Sequence, residues 1–166
     1  MNYWLVKSEA EVYSLSQLKK DKFTQWTDVR NYQARNNLRE MKVGDKVLYY
    51  HSNSKPSSIV GVAEVKKTAY PDPGQFDPKS DYYDAKSKTE NPSWVGPDLK
   101  FLSELSRSLS LEELRKQKAL SQMELFKYAR LSVQKVAPSE FRFILELAKQ
   151  NIKVSSATIQ QLKQLT

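Results

Sequence analysis

Residues 26–53 read W-T-D-V-R-N-Y-Q-A-R-N-N-L-R-E-M-K-V-G-D-K-V-L-Y-Y-H-S-N, and no other stretch constrains the chain so tightly. Three arginines, four asparagines, a tryptophan, three tyrosines and the only histidine crowd into it. A core has little use for so many amides and guanidinium groups, because each needs a hydrogen-bond partner once it leaves water. Asn31 is a suitable cap for a helix over 32–41, with Ala34, Leu38 and Met41 on one face and Tyr32, Arg35 and Arg39 beside them. Lys42-Val-Gly-Asp45 then turns the chain into an apolar strand at 46–50, and His51-Ser-Asn leaves that strand as polar loop. Planar and amide side chains of these types can stack on a flat ring and hydrogen-bond its edge. The stretch therefore reads as a nucleobase pocket. Trp26, Asn31, Tyr32, Asn36, Asn37, His51, Ser52 and Asn53 suit the base, while Arg30, Arg35 and Arg39 suit phosphates.

The remaining segments bound the fold. Residues 3–8 and 58–66 read as strands, the second with Gly61 marking a bulge or close approach. Ser14-Leu-Ser-Gln17 fits a capping box for a short helix, and 23–30 reads as irregular. Residues 68–97 hold five of the seven prolines and two of the four glycines, so they form a long loop. Its Tyr70, Phe76, Tyr82, Tyr83 and Trp94 predict an ordered loop packed over the sheet. Beyond it the pattern predicts a strand at 98–102, helices opened by capping boxes at Ser110 and Ser121, and a strand at 131–136. Pro138 suits the first turn of a helix whose Phe141, Ile144, Leu145, Leu147 and Ala148 form one stripe. Short strands mixed with short helices, without alternating β-α-β order, indicate an α+β fold. The expected architecture is a small mixed β-barrel of five to six strands with flanking short helices. One domain over 2–149 is expected, with 150–166 as a polar tail or terminal helix.

Composition removes several function classes. With no cysteine and one histidine, the chain lacks the usual zinc ligands, any thiolate nucleophile and any disulfide. There is no G-x-S-x-G elbow, and with four glycines there is no phosphate-cradling or dinucleotide loop. The aspartates at 72, 77, 81 and 84 do not match calcium-loop spacing. No cofactor or metal is expected. No run approaches the roughly 20 apolar residues of a membrane span, and the N-terminus reaches charge too soon for a signal peptide. A cytoplasmic protein with no membrane partner is the expectation. The net charge of +8 favours a polyanionic partner.

Several motifs in order carry a resemblance. They are Tyr3-Trp-Leu-Val-Lys-Ser-Glu9, W-x-x-V-R-N-Y-Q-A-R-N-N-L-R-x-M-K-V-G-D at 26–45, Y-Y-H-S-N at 49–53, I-V-G-V-A-E-V at 59–65, Y-P-D-P at 70–73, F-D-P-K-S-x-Y-Y-D at 76–84 and R-L-S-V at 130–133. Together they resemble the EVE domain of the thymocyte nuclear protein family and its bacterial relatives. The resemblance implies a PUA-like fold and a non-enzymatic reader of a modified base in DNA or RNA. Candidate bases are methylated or hydroxymethylated cytosine and methyladenine, flipped out of the strand. It further implies a pocket walled by Lys7, Ser8, Trp26 and Arg30 to Asn36, closed by His51, Ser52 and Asn53, with Tyr82 and Tyr83 shaping its mouth. The family usually has Asp-Gly before V-R-N, where this chain has Thr27-Asp28. Aspartate tolerates positive φ better than most residues, so the turn can survive. Two other readings stand beside this one. An enzyme acting on a base or nucleotide would use His51, Glu9 or Asp28. A protein-interaction module would use the 68–98 loop.

Overall fold

The apolar runs at 4–6 and 47–50 do not alternate with polar residues, and the fold gives the reason. A computed structural model describes residues 1–149. The expected tail at 150–166 lies outside the described residues. In chain order the elements are β1 (Tyr3–Glu9), α1 (Leu15–Asp21), β2 (Phe23–Gln25), α2 (Tyr32–Glu40), β3 (Lys46–Ser52) and β4 (Ser58–Pro71). They continue with β5 (Val95–Ser110), α3 (Leu111–Arg115), α4 (Glu124–Lys127), β6 (Val133–Val136) and the helix α5 over 138–149. One six-stranded sheet runs in the order β2-β5-β4-β3-β1-β6. Only β1 and β3 are parallel, because α1, β2 and α2 intervene between them and carry the chain back.

Both faces of the central strands are covered. Trp4, Val6, Val47 and Tyr49 pack with Leu15 and Leu18 of α1 and with Ala34 and Leu38 of α2. Leu5, Leu48 and Tyr50 point the other way, into Leu114, Leu125, Phe141 and Ile144 from the last three helices. A strand buried on both faces must be apolar at every position, which is what 4–6 and 47–50 are.

Strands β4 and β5 span 14 and 16 residues, and their pairing shifts register four times. Each shift adds bend and twist, so this long pair curls the sheet into a barrel-like wall, with β2 and β6 at its edges. Gly61 sits at one shift. A Cβ there would meet Leu15 and lie 2.6 Å from the carbonyl oxygen of Ser103. The architecture is the α+β one that the sequence predicts, decorated by short helices. No helix of the described residues is long and apolar enough to cross a membrane.

Local capping chemistry forms where the sequence places it, with one exception. Ser14, Asn31 and Ser110 accept hydrogen bonds from the amides of Gln17, Ala34 and Glu113. The box at Ser121 does not form. A 3-10 turn over Lys118–Leu120 precedes it, the Ser121 amide donates back to Lys118, and α4 opens at Met123 without a side-chain cap. Residues 23–25 form an edge strand on β5 rather than irregular chain, and the strand expected at 98–102 is a part of the much longer β5.

Asp45, 3% exposed, ties three segments together. Its carboxylate accepts from the Asn2 amide, the Trp4 indole and the Lys42 amide, each at 3.0 Å. Removing it orphans three donors next to the core. Asp45→Ala should lower unfolding free energy by about 3 kcal/mol in urea titration. A change below about 1 kcal/mol would mean that water replaces the carboxylate.

Candidate functional site

Residues 72–94 link β4 to its neighbour β5 without a strand of their own, so their backbone groups need partners other than a strand ladder. Arginines supply them. Arg30 donates from Nε and one terminal nitrogen to the Tyr82 carbonyl at 3.0 and 2.9 Å. Its other terminal nitrogen reaches the Val29 carbonyl at 3.0 Å and Asp72 Oδ2 at 2.9 Å. Arg35 and Arg39 donate to the carbonyls of Ser93 and Pro92 at 3.2 and 3.4 Å. Gln75, fully buried, closes the segment on itself through Asp72, Ser87 and Trp94. The Trp94 indole donates to Asp84, and that bond holds the Asp84 carboxyl below the usual carboxylate range.

A ladder of planar groups runs along the same seam. Arg30 lies 5.5 Å from the Tyr82 ring and 5.4 Å from Trp94, Tyr32 stacks on Trp94 at 5.1 Å, and Arg35 lies 4.9 Å over Tyr32. The loop is therefore ordered and packed, as its aromatics predict.

Beside this loop opens a cleft of about 640 Å³. One wall is the turn between β2 and α2. Asp28 adopts φ +69 there, and its amide donates to Asp72 Oδ2 at 2.9 Å. The positive φ falls where the sequence places an aspartate in the usual glycine position. Behind that turn Gly96 packs against the Trp26 backbone so closely that a Cβ would collide with the Trp26 carbonyl. The opposite wall comes from β1 and from residues 129–132. Lys7 donates from Nζ to the Ala129 carbonyl at 2.8 Å, and burial lowers its pKa. At the third side Asn53, with φ +50, donates to Glu9 Oε1 at 2.6 Å.

Of the side chains that the sequence singles out, Lys7, Ser8, Trp26, Arg30, Asn31, Ser52, Asn53 and Tyr82 line this cleft. Trp26 is 8% exposed and makes T-shaped contacts with Tyr13 and Tyr49. Tyr32 and Arg35 sit outside, on the ladder, and the Asn36 side-chain oxygen Oδ1 accepts from Arg35. Tyr83 is on the loop surface, 45% exposed. Asn37 is buried and donates to the Val133 carbonyl, bridging α2 to β6. His51 is likewise outside the cleft. Its Nε2 accepts the Leu15 amide at 3.1 Å, and burial lowers its pKa. The imidazole serves as an acceptor at the start of α1, which requires it neutral.

Reading the sequence missed Tyr13, Arg130 and Ser132 as lining residues, and weighed Asp28 as a turn residue and a possible acid or base but not as a binding residue. The only local mark on 129–132 is the R-L-S-V motif at 130–133, which by itself does not assign the segment to the pocket. These residues reach the cleft because β6 pairs antiparallel with β1, and the Lys7 amide extends that pairing to the Ser132 carbonyl at 2.9 Å.

The Asp28 carboxyl is pushed upward, first by burial and then by Asp72, against the pull of Arg30 and a hydrogen bond with Thr27. The cleft thus offers ring edges, amides, hydroxyls, carboxylates and cations in one concave space. Among the described residues, no cluster of three or more His, Cys, Asp or Glu side chains could hold a metal ion.

Residues 2–147 match the family model of the EVE domain. Thymocyte nuclear protein 1 of Mus musculus is 44% identical over 165 residues, covering 88% of this chain and 73% of that protein. The crystal structure of human THYN1 protein in complex with 5-methylcytosine-containing DNA superposes with a TM-score of 0.86. That structure is 39% identical and covers 89% of this chain and 98% of the human one. The YTH domain of Zygosaccharomyces rouxii MRB1 shares the fold at a TM-score of 0.54 and 13% identity, covering 89% of this chain and 84% of that one.

Two predictions arise from this geometry. Arg30→Leu removes the bridge to Asp72 and Tyr82, so amide exchange across 77–91 should accelerate at least tenfold while the β1–β3 amides keep wild-type rates. Unchanged exchange in the loop would show that the other arginines hold it alone. For His51, a folded pKa below 6.5 means that the unfolded chain binds the extra proton just below that pH. Stability should therefore fall as pH drops below about 6.5, and His51→Gln, which can still accept from Leu15, should flatten that slope. Parallel stability curves for the two proteins between pH 7 and 5 would contradict the assignment.

Proposed function

The chain belongs to the EVE domain family, and from that membership we propose that it is a non-enzymatic module binding a modified nucleobase lifted out of DNA or RNA into the cleft. One observation carries the reading: an open cavity of about 640 Å³ with mixed ring and polar walls, beside a loop that Arg30 ties to the turn after β2. Trp26 and Tyr13 offer aromatic surface to a ring, Val29 an apolar patch, and Asp28, Asn31 and Ser132 offer donors and acceptors for its periphery. The 5-methylcytosine DNA bound by the human relative makes that base the first candidate.

Magnitudes set what such a pocket must do. Flipping a base costs a few kcal/mol, and stacking returns about 1–3 kcal/mol. Burying one methyl adds only about 0.8 kcal/mol, roughly a fourfold preference over the unmodified base. Reading the polar edge separates cytosine from the other bases but not from its 5-methyl form, so contact with the methyl itself has to carry that preference. Asp28 is suited to reading the edge, since its carboxylate lines the cleft and can accept from an exocyclic amino group. Burial moves the Asp28 pKa upward, the direction a general acid needs, so an enzyme acting on the base is the second reading. His51 is unsuited to it because its Nε2 is engaged by Leu15. A cytoplasmic address is part of the first reading, although the relatives bear a nuclear name.

A single-stranded oligonucleotide with one 5-methylcytosine should bind at least fourfold tighter than its cytosine counterpart in fluorescence anisotropy at fixed salt. Asp28→Asn tolerates the positive φ and should cut that affinity at least tenfold while thermal stability is unchanged. Equal binding of both oligonucleotides by the wild type would sink the reading. Mass spectrometry of the recovered oligonucleotide decides the second one, for which a new base mass is required.

A further inference from the structure

We propose that the groove adjoining the cleft holds the neighbouring nucleotide of the same strand, with Tyr128 stacked on its base and Arg130 on the phosphate that links it to the flipped residue. This rests on the cleft being a base pocket. The groove has a volume of about 530 Å³ and is lined by Gln33, Glu124, Tyr128 and Leu131, and it shares Asn31 and Arg130 with the cleft. Any strand with one base in the cleft has to continue through an opening, and here the two spaces meet at Asn31 and Arg130.

The backbone that carries Tyr128 and Arg130 is fixed from several sides. Lys7 donates to the Ala129 carbonyl at 2.8 Å, and buried Gln134 donates to the carbonyls of Tyr128 and Leu131 at 3.1 and 3.0 Å. The Tyr128 amide donates to Glu124 at 2.8 Å. The two large side chains have no such anchoring. Tyr128 is 54% exposed, and among the described residues neither its ring and hydroxyl nor the Arg130 guanidinium has a hydrogen bond, ion pair or stacking partner. Arg30, Arg35 and Arg39 differ from Arg130 in that loop carbonyls already engage them.

A rigid backbone presenting an unpartnered ring and an unpartnered cation side by side matches what single-stranded nucleic acid requires: a face for a base and a charge for the backbone. Glu124 lies in the same groove. One of its oxygens accepts the Lys135 amide at 2.9 Å and the other is free to accept. A carboxylate there favours a neighbouring base with an exocyclic amino group over thymine or uracil.

The test compares two probes on the full chain by NMR titration. One is 5-methyl-2′-deoxycytidine monophosphate, which fills only the cleft, and the other is a trinucleotide with that residue in the centre. Wild type should bind the trinucleotide more tightly, with shifts at the amides of 128–131. Tyr128→Ala should lose roughly tenfold or more on the trinucleotide and nothing on the mononucleotide, and Tyr128→Phe should restore binding. Arg130→Gln should reduce the salt slope for the trinucleotide by about 0.7. Wild-type trinucleotide affinity in Tyr128→Ala overturns the groove and leaves the cleft standing. Equal loss on both probes also overturns it, since the effect would then be on the cleft itself. Binding of neither probe by the wild type removes the base pocket, and the groove with it.

Discussion

The contact between Arg30 and Asp72 organises the functional face of this protein. Asp72 is almost fully buried, and a lone carboxylate there would be costly. It is held by the Arg30 guanidinium and by the amides of Asp28 and Gly74, which together compensate its lost hydration. The same guanidinium reaches Tyr82, so one pair fixes the turn after β2, the start of the long loop and the mouth of the cleft. The positive φ of Asp28 belongs to this knot, because its amide points at Asp72 from that conformation.

The cleft owes its shape to groups already engaged and its chemistry to groups that are not. Arg30, Arg35, Gln75 and His51 all have the chemistry of ligand contacts, yet each satisfies protein backbone. What faces the open space with capacity left is a smaller set, with Asp28 on one wall and Arg130 on the other. An excess of positive charge across the chain brings nucleic acid near without choosing a sequence, and these few groups would do the choosing.

Much of this was legible beforehand, for reasons that are local. Caps at Ser14, Asn31 and Ser110 act within one helical turn, so spacing alone reveals them. The ordered aromatic loop and the α+β class followed from composition and element lengths, and the family followed from long motifs in order. What was hidden depends on distant chain. No spacing rule tells that Arg30 meets a carbonyl 52 residues away, or that His51 turns toward Leu15. Strand β5 extends far past the short run that reads as a strand, because pairing with β4 and not intrinsic preference carries its polar half. The wall at 129–132 exists only once β6 lies against β1.

The most direct test of the base-pocket account is a chemical-shift map of the isotope-labelled protein with a DNA duplex containing a single 5-methylcytosine, set against the unmodified duplex. The account predicts shifts at residues 7–9, 26–31, 52–53 and 129–132 that are larger, at matched duplex concentration, with the modified duplex than with the unmodified one. Identical maps for both duplexes, or shifts confined to surfaces away from the cleft, would contradict it.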